Sequence, residues 1–435
     1  MDSLGPYEKN PHIAVALSGG SDSLCLTILA KEWADKNKGK VTALIVNHGL
    51  RKTSKKECNE LQKFLKKKKI DNYCFQWKDS KINKKSIQER ARKFRYKIFE
   101  NFCFEKNIFH LLVAHHFEDQ KETLLMRLND NSNVYGLACM SKILFKKKIR
   151  ILRPLLDFKK KEIINFLDAK SIKWFEDTSN KDLKYSRNKY RSILPELEQR
   201  GLSDNKLKKI LKKAKKKRKT IENLATKWLI KNIHIDDFGF AVVKLSNLKL
   251  LSENNFLVYF GRILNTISGS LYPTKSKYIL NFYKQIYKKK SFNPTNLGGC
   301  HIFIVKKDVY ISREIFKKDR KQNINFKFNQ FNWDNRFEIN CRDNINKILK
   351  KELGQTLNIE QLHINGWNQI ISKNKKFKES CLLPNKIIVS LPAIKNRQNK
   401  VLSVPQLNYY SDSKSKKRFS KMNFYFKPNI ALSNN

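Results

Sequence analysis

Residues 18–23, Ser-Gly-Gly-Ser-Asp-Ser, carry the densest chemistry in the chain. They follow the apolar run HIAVAL (12–17) and open the helical pattern DSLCLTILAKEWADKN (22–37). Two glycines allow positive φ and close backbone approach. Successive amides ahead of a helix N-terminus make a nest for phosphate oxygens. The hydroxyls of Ser18, Ser21 and Ser23 can donate to the same oxygens. Asp22 is out of place beside phosphate unless a cation lies between them, and magnesium meets that need. The loop therefore reads as a cradle for a magnesium-bound pyrophosphate. It lacks the G-K-[ST] ending of a Walker A loop. A Gly-Ser turn that merely caps a helix at Ser21 or Asp22 is the plainer alternative.

A second cluster is AHHFEDQKETLLMRL (114–128). Read as a helix, it puts His115, Asp119 and Glu122 at i, i+4 and i+7 on one face. Two carboxylates and an imidazole suit a cationic substrate and the removal of its proton. A solvated helix start, where acidic residues favour the dipole, accounts for the same letters.

These residues need elements to bring them together. HIAVAL (12–17), KVTALIVNH (40–48), NYCFQW (72–77) and HLLVAHH (110–116) read as strands. Residues 22–37, 54–70 and 86–107 between them have helical periodicity. Alternation of this kind predicts an α/β fold with a parallel sheet, and continuous apolar runs suit strands covered on both faces. Both clusters follow strands directly. They are expected to meet at the carboxyl edge of the sheet, where such folds bind ligands. Residues 149–182 read as strand, helix and extended loop, and 185–200 as a helix. Residues 203–235 read as a long basic amphipathic helix. The remainder mixes helices (254–267, 275–290) with strands (301–312), and no internal repeat is evident.

The chain has 435 residues, enough for two or three domains, and a formal charge of +52. A polyanion such as a nucleic acid is the expected partner, although a sequence so rich in Lys, Asn and Ile also carries compositional drift. Hydrophobic residues make up 40%, which excludes a disordered composition. Eight cysteines, at 25, 58, 74, 103, 139, 300, 341 and 381, form no C-x-x-C pair, so reduced, mostly buried thiols are expected. The start MDSLGPYEKNPH has no apolar h-region, and no run reaches 18 apolar residues. A cytoplasmic protein without a membrane span is the expectation.

SGGSDS resembles the PP-loop of the N-type ATP pyrophosphatases, and AHHFEDQKET resembles the A-H-H-x-D-D-Q-x-E-T of tRNA(Ile)-lysidine synthases. Glu118 stands where that family has its first Asp. Further segments resemble the same family in the same order. VNHGLR (46–51) has Asn47 in place of an acid, and SIQERARKFRY (86–96) holds Gln88, Glu89, Arg92, Arg95 and Tyr96. NVYGLACM (133–140) lacks the family's first glycines. RPLL (153–156) and EDTSNKDLKYSRNKYR (176–191) complete the set. Little beyond general layout is recognisable after about residue 240.

The resemblance implies a Rossmann-like PP-loop domain at 1–205, a helical linker and tRNA-binding domain at 206–300, and an α+β tRNA-binding domain at 301–435. It implies ATP and Mg2+ as cofactors. The partners it implies are free L-lysine and a tRNA(Ile) with a CAU anticodon, with a homodimer left open. In the implied reaction the wobble cytidine O2 attacks the α-phosphate of ATP and pyrophosphate leaves. The lysine ε-amine then attacks C2 and AMP leaves. By carry-over, Ser18, Gly19, Gly20, Ser21, Asp22 and Ser23 hold pyrophosphate, with Asp22 also at the metal. Asp22, Asp119, Glu122 and His115 form the catalytic set, and His116 joins phosphate contact or proton transfer. Asp119 and Glu122 receive the lysine ammonium. Arg187 and Arg191 meet the lysine carboxylate or the tRNA backbone, and Arg92 belongs to the same substrate group. Two other classes stay open: a PP-loop tRNA thiolase, which needs a reactive cysteine, and a non-catalytic RNA-binding protein with a degenerate loop.

Overall fold

The computed structural model describes residues 1–47, 54–77, 87–130, 132, 134–146, 149–175, 186–270, 272–288, 293–316, 322–323, 330–341 and 357–432. Its contacts divide the chain into two units, Met1–Lys219 and Thr220–Asn435.

The first unit is built on a six-stranded sheet. Its strands are β1 (His12–Leu17), β2 (Lys40–Asn47), β3 (Asp71–Gln76), β4 (His110–Leu112), β5 (Ile143–Phe145) and β6 (Arg150–Leu152). They lie in the order β3-β2-β1-β4-β6-β5. All pairs are parallel except β5–β6. The helices are α1 (Ser21–Lys36), α2 (Ser54–Lys67), α3 (Ile87–Glu105), α4 (Phe117–Asn129), α5 (Val134–Leu137), α6 (Lys160–Ala169), α7 (Ser186–Gln199) and α8 (Asp204–Asn232).

Strand alternation explains the two-sided burial. Ile13, Val15 and Leu17 pack with Leu24 and Ile28 of α1, Leu61 and Leu65 of α2, and Ile163 and Leu167 of α6. Ala14 faces the other way, into a core with Phe99, Phe102 and Cys103 of α3 and Leu111 and Ile151 of the sheet. Helices therefore cover both faces, as expected. The strand expected at 110–116 stops at Leu112, because its partner β6 ends at Leu152. Cys58 of α2 and Cys74 of β3 meet sulfur to sulfur. Their Cα atoms are 7.3 Å apart, wider than the roughly 4.4–6.8 Å that bridged pairs adopt. We therefore read them as packed thiols.

The second unit opens on an antiparallel sheet. Its strands are β7 (Ile233–Ile235), β8 (Ala241–Lys244), β9 (Thr295–Leu297), β10 (Cys300–Val305) and β11 (Asp308–Arg313), in the order β7-β8-β11-β10-β9. Helices Glu253–Ser268 and Ser276–Lys288 supply Phe256, Phe260, Ile263 and Phe282 to its core. A second sheet is centred on Asn358–Gln361, Pro392–Lys395 and Val401–Val404, and a third on Gln330–Trp333, Phe337–Cys341 and Met422–Phe426. The division between units falls inside α8, which runs through residue 205, and residue 300 begins β10 rather than ending a domain. A 29-residue helix and a hydrogen-bonded hairpin are poor places to cut a chain. Among the described residues no helix is long and apolar enough to cross a membrane.

Candidate active site

The sheet order sets the site. β1 lies between β2 and β4, so the chain leaves β1 in one direction and returns on the other side. The β1–α1 loop and the β4–α4 turn consequently open beside each other at the carboxyl edge.

The loop is shaped by its glycines and braced by its serines. Gly19 has φ +88°, and a Cβ there would lie 2.9 Å from Leu61 Cδ1 and 3.1 Å from Phe175 Cδ2. The Gly19 carbonyl accepts the Phe175 amide at 3.1 Å. Ser23 Oγ donates to the Gly20 carbonyl at 3.0 Å and accepts the Ser18 amide at 3.1 Å. The hydroxyls of Ser18 and Ser23 are 3.1 Å apart. Ser23 is thus the brace of the loop, and it is buried with Ser21. Gly20 is the N-cap of α1, and Asp22 sits in the first turn.

Across from Asp22 stands His116, the N-cap of α4. His116 Nε2 is 3.6 Å from Asp22 Oδ2 and 3.7 Å from Asp119 Oδ2. Its Nδ1 is 2.9 Å from Glu118 Oε2. The Asp119 carboxylate also accepts the His116 amide at 3.0 Å. Burial depresses the pKa of this imidazole, but the Glu118 hydrogen bond and the charges of Asp119 and Asp22 more than offset it, leaving the pKa raised. Burial pushes Glu118 up, and the His116 bond with backbone donors carries it below its ordinary value. Glu118 Oε2 also accepts the Lys160 amide at 2.9 Å, so one carboxylate ties α4 to the start of α6.

Lys160, the first residue of α6, completes the group. Its Nζ lies 2.5 Å from Asp22 Oδ1 and 2.6 Å from Ser21 Oγ. Sequence reasoning missed this lysine because it is the middle of a Lys159–Lys161 run. The nearby RPLL segment was the only local signal.

One turn further along α4, buried Glu122 meets α7. Its Oε1 accepts Arg191 Nε at 2.7 Å and lies 2.7 Å from a terminal guanidinium nitrogen of Arg191. Neighbouring Lys121, also buried, bonds Glu198 at 2.8 Å and Asp204 at 3.1 Å, holding α4 to α7 and α8. Gln120 exchanges two hydrogen bonds with the Met140 backbone, which fixes the 139–140 segment.

The expected helix face of His115, Asp119 and Glu122 needs correction. The helix begins at Phe117, so His115 lies before it, and His116 is the imidazole among the carboxylates. Asp119 and Glu122 are on α4 as expected. The side chain of Arg187 and the segment 176–185 lie outside the described residues, as do 48–51 of VNHGLR and the side chains of Gln88 and Glu89. Arg92 sits on α3, its guanidinium 5.4 Å from the Tyr96 ring centroid. Burial lowers the pKa of Arg95 and of Arg153; Tyr96 opposes the fall and Arg92 adds to it. Arg153 follows β6, is 7% exposed and donates to the Ser141 carbonyl at 2.8 Å. These arginines form a second basic group at the same sheet edge.

Neither cysteine near the motifs is activated. Burial, helped by Asp22, pushes Cys25 up to about 11, and burial does the same to Cys139. A reactive thiolate needs the opposite shift.

A mainly parallel sheet with a glycine- and serine-rich loop between β1 and α1 defines the class, and a model of the PP-loop domain matches residues 2–197. Over more of the chain it is similar to tRNA(Ile)-lysidine synthases. That of Wolbachia pipientis wMel is 31% identical over 404 residues, covering 92% of this chain and 90% of that protein. That of Rickettsia felis is 32% identical over 418 residues, with the same shares covered. That of Orientia tsutsugamushi is 28% identical over 443 residues, covering 99% and 96%. The chain belongs to the tRNA(Ile)-lysidine synthase family.

Proposed function

We propose that this protein ligates free lysine to C2 of the wobble cytidine of CAU-anticodon tRNA(Ile), using ATP and releasing AMP and pyrophosphate. The observation that carries the reading is the meeting of two loops. Asp22 of the first and His116 and Asp119 of the second converge within 3.7 Å, with the Glu122–Arg191 pair one turn away.

Ser18 to Ser23 take the pyrophosphate portion of ATP, through the amides of a helix N-terminus and the Ser21 hydroxyl. Mg2+ fits beside them, because Asp22 supplies the hard carboxylate oxygen it prefers while substrate phosphates complete its shell. It would neutralise charge on the departing pyrophosphate.

Asp119 and Glu122 face the lysine ammonium, and Arg191 beside Glu122 offers the planar fork that binds a carboxylate. Lysine must lose a proton before its amine attacks. His116, with Asp119 next to it, can accept that proton. The Arg92, Arg95 and Arg153 group suits RNA phosphate, and the basic face of residues 206–219 suits more of the tRNA backbone. The second unit contributes further tRNA contacts, and the enzyme works in the cytoplasm.

The test is incorporation of labelled lysine into a CAU-anticodon tRNA(Ile) transcript with ATP and Mg2+, beside Asp22→Ala and Glu122→Ala. Transfer to this tRNA, absent with initiator tRNA and lost in both variants, is expected. A folded protein that binds the transcript tightly but transfers no lysine would refute the proposal in favour of RNA binding alone.

A further inference from the structure

We propose that Lys160 is both the resident countercation of Asp22 and the side chain that takes hold of the leaving pyrophosphate. The assignment rests on the use of ATP at the β1–α1 loop argued above.

The geometry starts with Asp22. A carboxylate in a phosphate cradle repels its ligand until a cation intervenes. The chain supplies one itself: Lys160 Nζ lies 2.5 Å from Asp22 Oδ1 and also bonds Ser21 Oγ at 2.6 Å. Both partners are in the first turn of α1, where the pyrophosphate oxygens are to be bound.

The root of this lysine is anchored through its backbone, and its tip is held only by side-chain bonds at the end of a flexible stem. The Lys160 amide donates to Glu118 Oε2 at 2.9 Å, and the preceding amide, of Lys159, donates to Glu162 Oε2 at 2.7 Å. These bonds anchor the N-terminus of α6. The Lys160 side chain is 36% exposed, and four rotatable bonds separate its ammonium from the anchored backbone. A compact ammonium on a flexible stem can change partners without moving the helix, whereas a guanidinium is held to a planar fork.

The exchange follows from charge. With nucleotide present, Asp22 would hold the accompanying metal ion, and Lys160 would be free to turn toward phosphate. In the first half-reaction the cytidine O2–phosphorus bond forms. The bond from that phosphorus to the pyrophosphate oxygen breaks, and its electron pair stays on the pyrophosphate. Negative charge grows where Lys160 then stands, so its contact is stronger in the transition state than before. The resident pairing also keeps Asp22 from collecting a metal ion before nucleotide arrives.

Lys160→Gln in the full chain tests both halves. Inorganic pyrophosphate with Mg2+, titrated calorimetrically, is expected to bind at least tenfold more weakly than to the parent. Mn2+ binding to the nucleotide-free protein, read by electron paramagnetic resonance, is expected to tighten at least threefold, because Asp22 has lost its competitor. A folded Gln variant with pyrophosphate affinity within twofold of the parent, or unchanged Mn2+ affinity, overturns the proposal and leaves Lys160 as a pin between α1 and α6. Should the Gln variant lose the fold, Lys160→Met, which keeps an unbranched apolar stem without the ammonium, is read by the same two titrations. Neither titration needs tRNA or lysine. A parent protein that binds no pyrophosphate refutes the nucleotide reading itself, which is a different result from equal binding by parent and variant.

Discussion

The two adjacent glycines of the loop should behave as opposites. Gly19 has φ +88°, and an added methyl would sit 2.9 Å from Leu61 Cδ1 and 3.1 Å from Phe175 Cδ2. Forcing an L residue into that backbone region costs ~1–2 kcal/mol. Overpacking against buried Leu61 and half-buried Phe175 adds ~1–3 kcal/mol. Gly19→Ala should therefore lose roughly 2–5 kcal/mol, a large share of the ~5–15 kcal/mol that holds a typical domain. At Gly20 the φ is −74° and the nearest atom to a new Cβ is Ser18 Oγ at 3.9 Å. Gly20→Ala should lose only about 0.5–1 kcal/mol, the difference between the two residues at an N-cap. It should nevertheless weaken pyrophosphate binding, because its methyl enters the cradle. Hydrogen exchange of the peptide covering residues 12–36 in the full chain reads the local free energy directly. Equal losses for the two variants, or a loss under about 1 kcal/mol for Gly19→Ala, would show that the loop does not need its left-handed residue.

Glu118→Gln keeps the acceptor for the Lys160 amide but removes the charge that most raises the pKa of His116. The imidazole should titrate at lower pH in the variant, as followed by nitrogen chemical shifts of labelled histidine. In the parent, the stability contributed by protonated His116 is present below the ordinary histidine pKa and is lost as pH rises through the raised folded value. That acid-side increment should shrink in Glu118→Gln, and an unmoved titration would refute the coupling. Cys25→Ala should retain lysine transfer, because the thiol is pushed up to about 11 by burial. Loss of transfer in a folded Cys25→Ala protein would reopen the thiolase reading.

Much of the first unit was legible because its signals are local. Unbroken apolar runs flanked by helical periodicity gave the strands β1 and β2, and the SGGSDS string gave the loop. Asn47 and Glu118 show the limit. Glu118 looks like a conservative change, yet its reach explains why it can hold both His116 and the α6 backbone. His115 was preferred over His116 because a helical face depends on where the helix starts, and one residue rotates the face by about 100°. The start is set where the Asp119 carboxylate accepts the His116 amide, and histidine is an uncommon N-cap. Lys160 was hidden by composition: among 91 basic residues, only tertiary placement distinguishes the one that faces Asp22. The boundary between the two units was obscured because α8 continues through it with unbroken periodicity.

The sheet order also has a bearing on how this protein is made. β1 receives β2 on one side from within the next thirty or so residues, but its other neighbour, β4, begins only at residue 110. During synthesis the central strand therefore stands with one flank open while some ninety residues are added, and parallel pairing across such a separation forms slowly. An exposed apolar strand edge is a template for association between chains. The chain carries its own deterrent: nascent copies with a strong excess of lysine repel one another. The same basic charge that suits a tRNA would then also protect the chain before any site exists, and a variant neutralised on its surface would be expected to aggregate on synthesis before it lost catalysis.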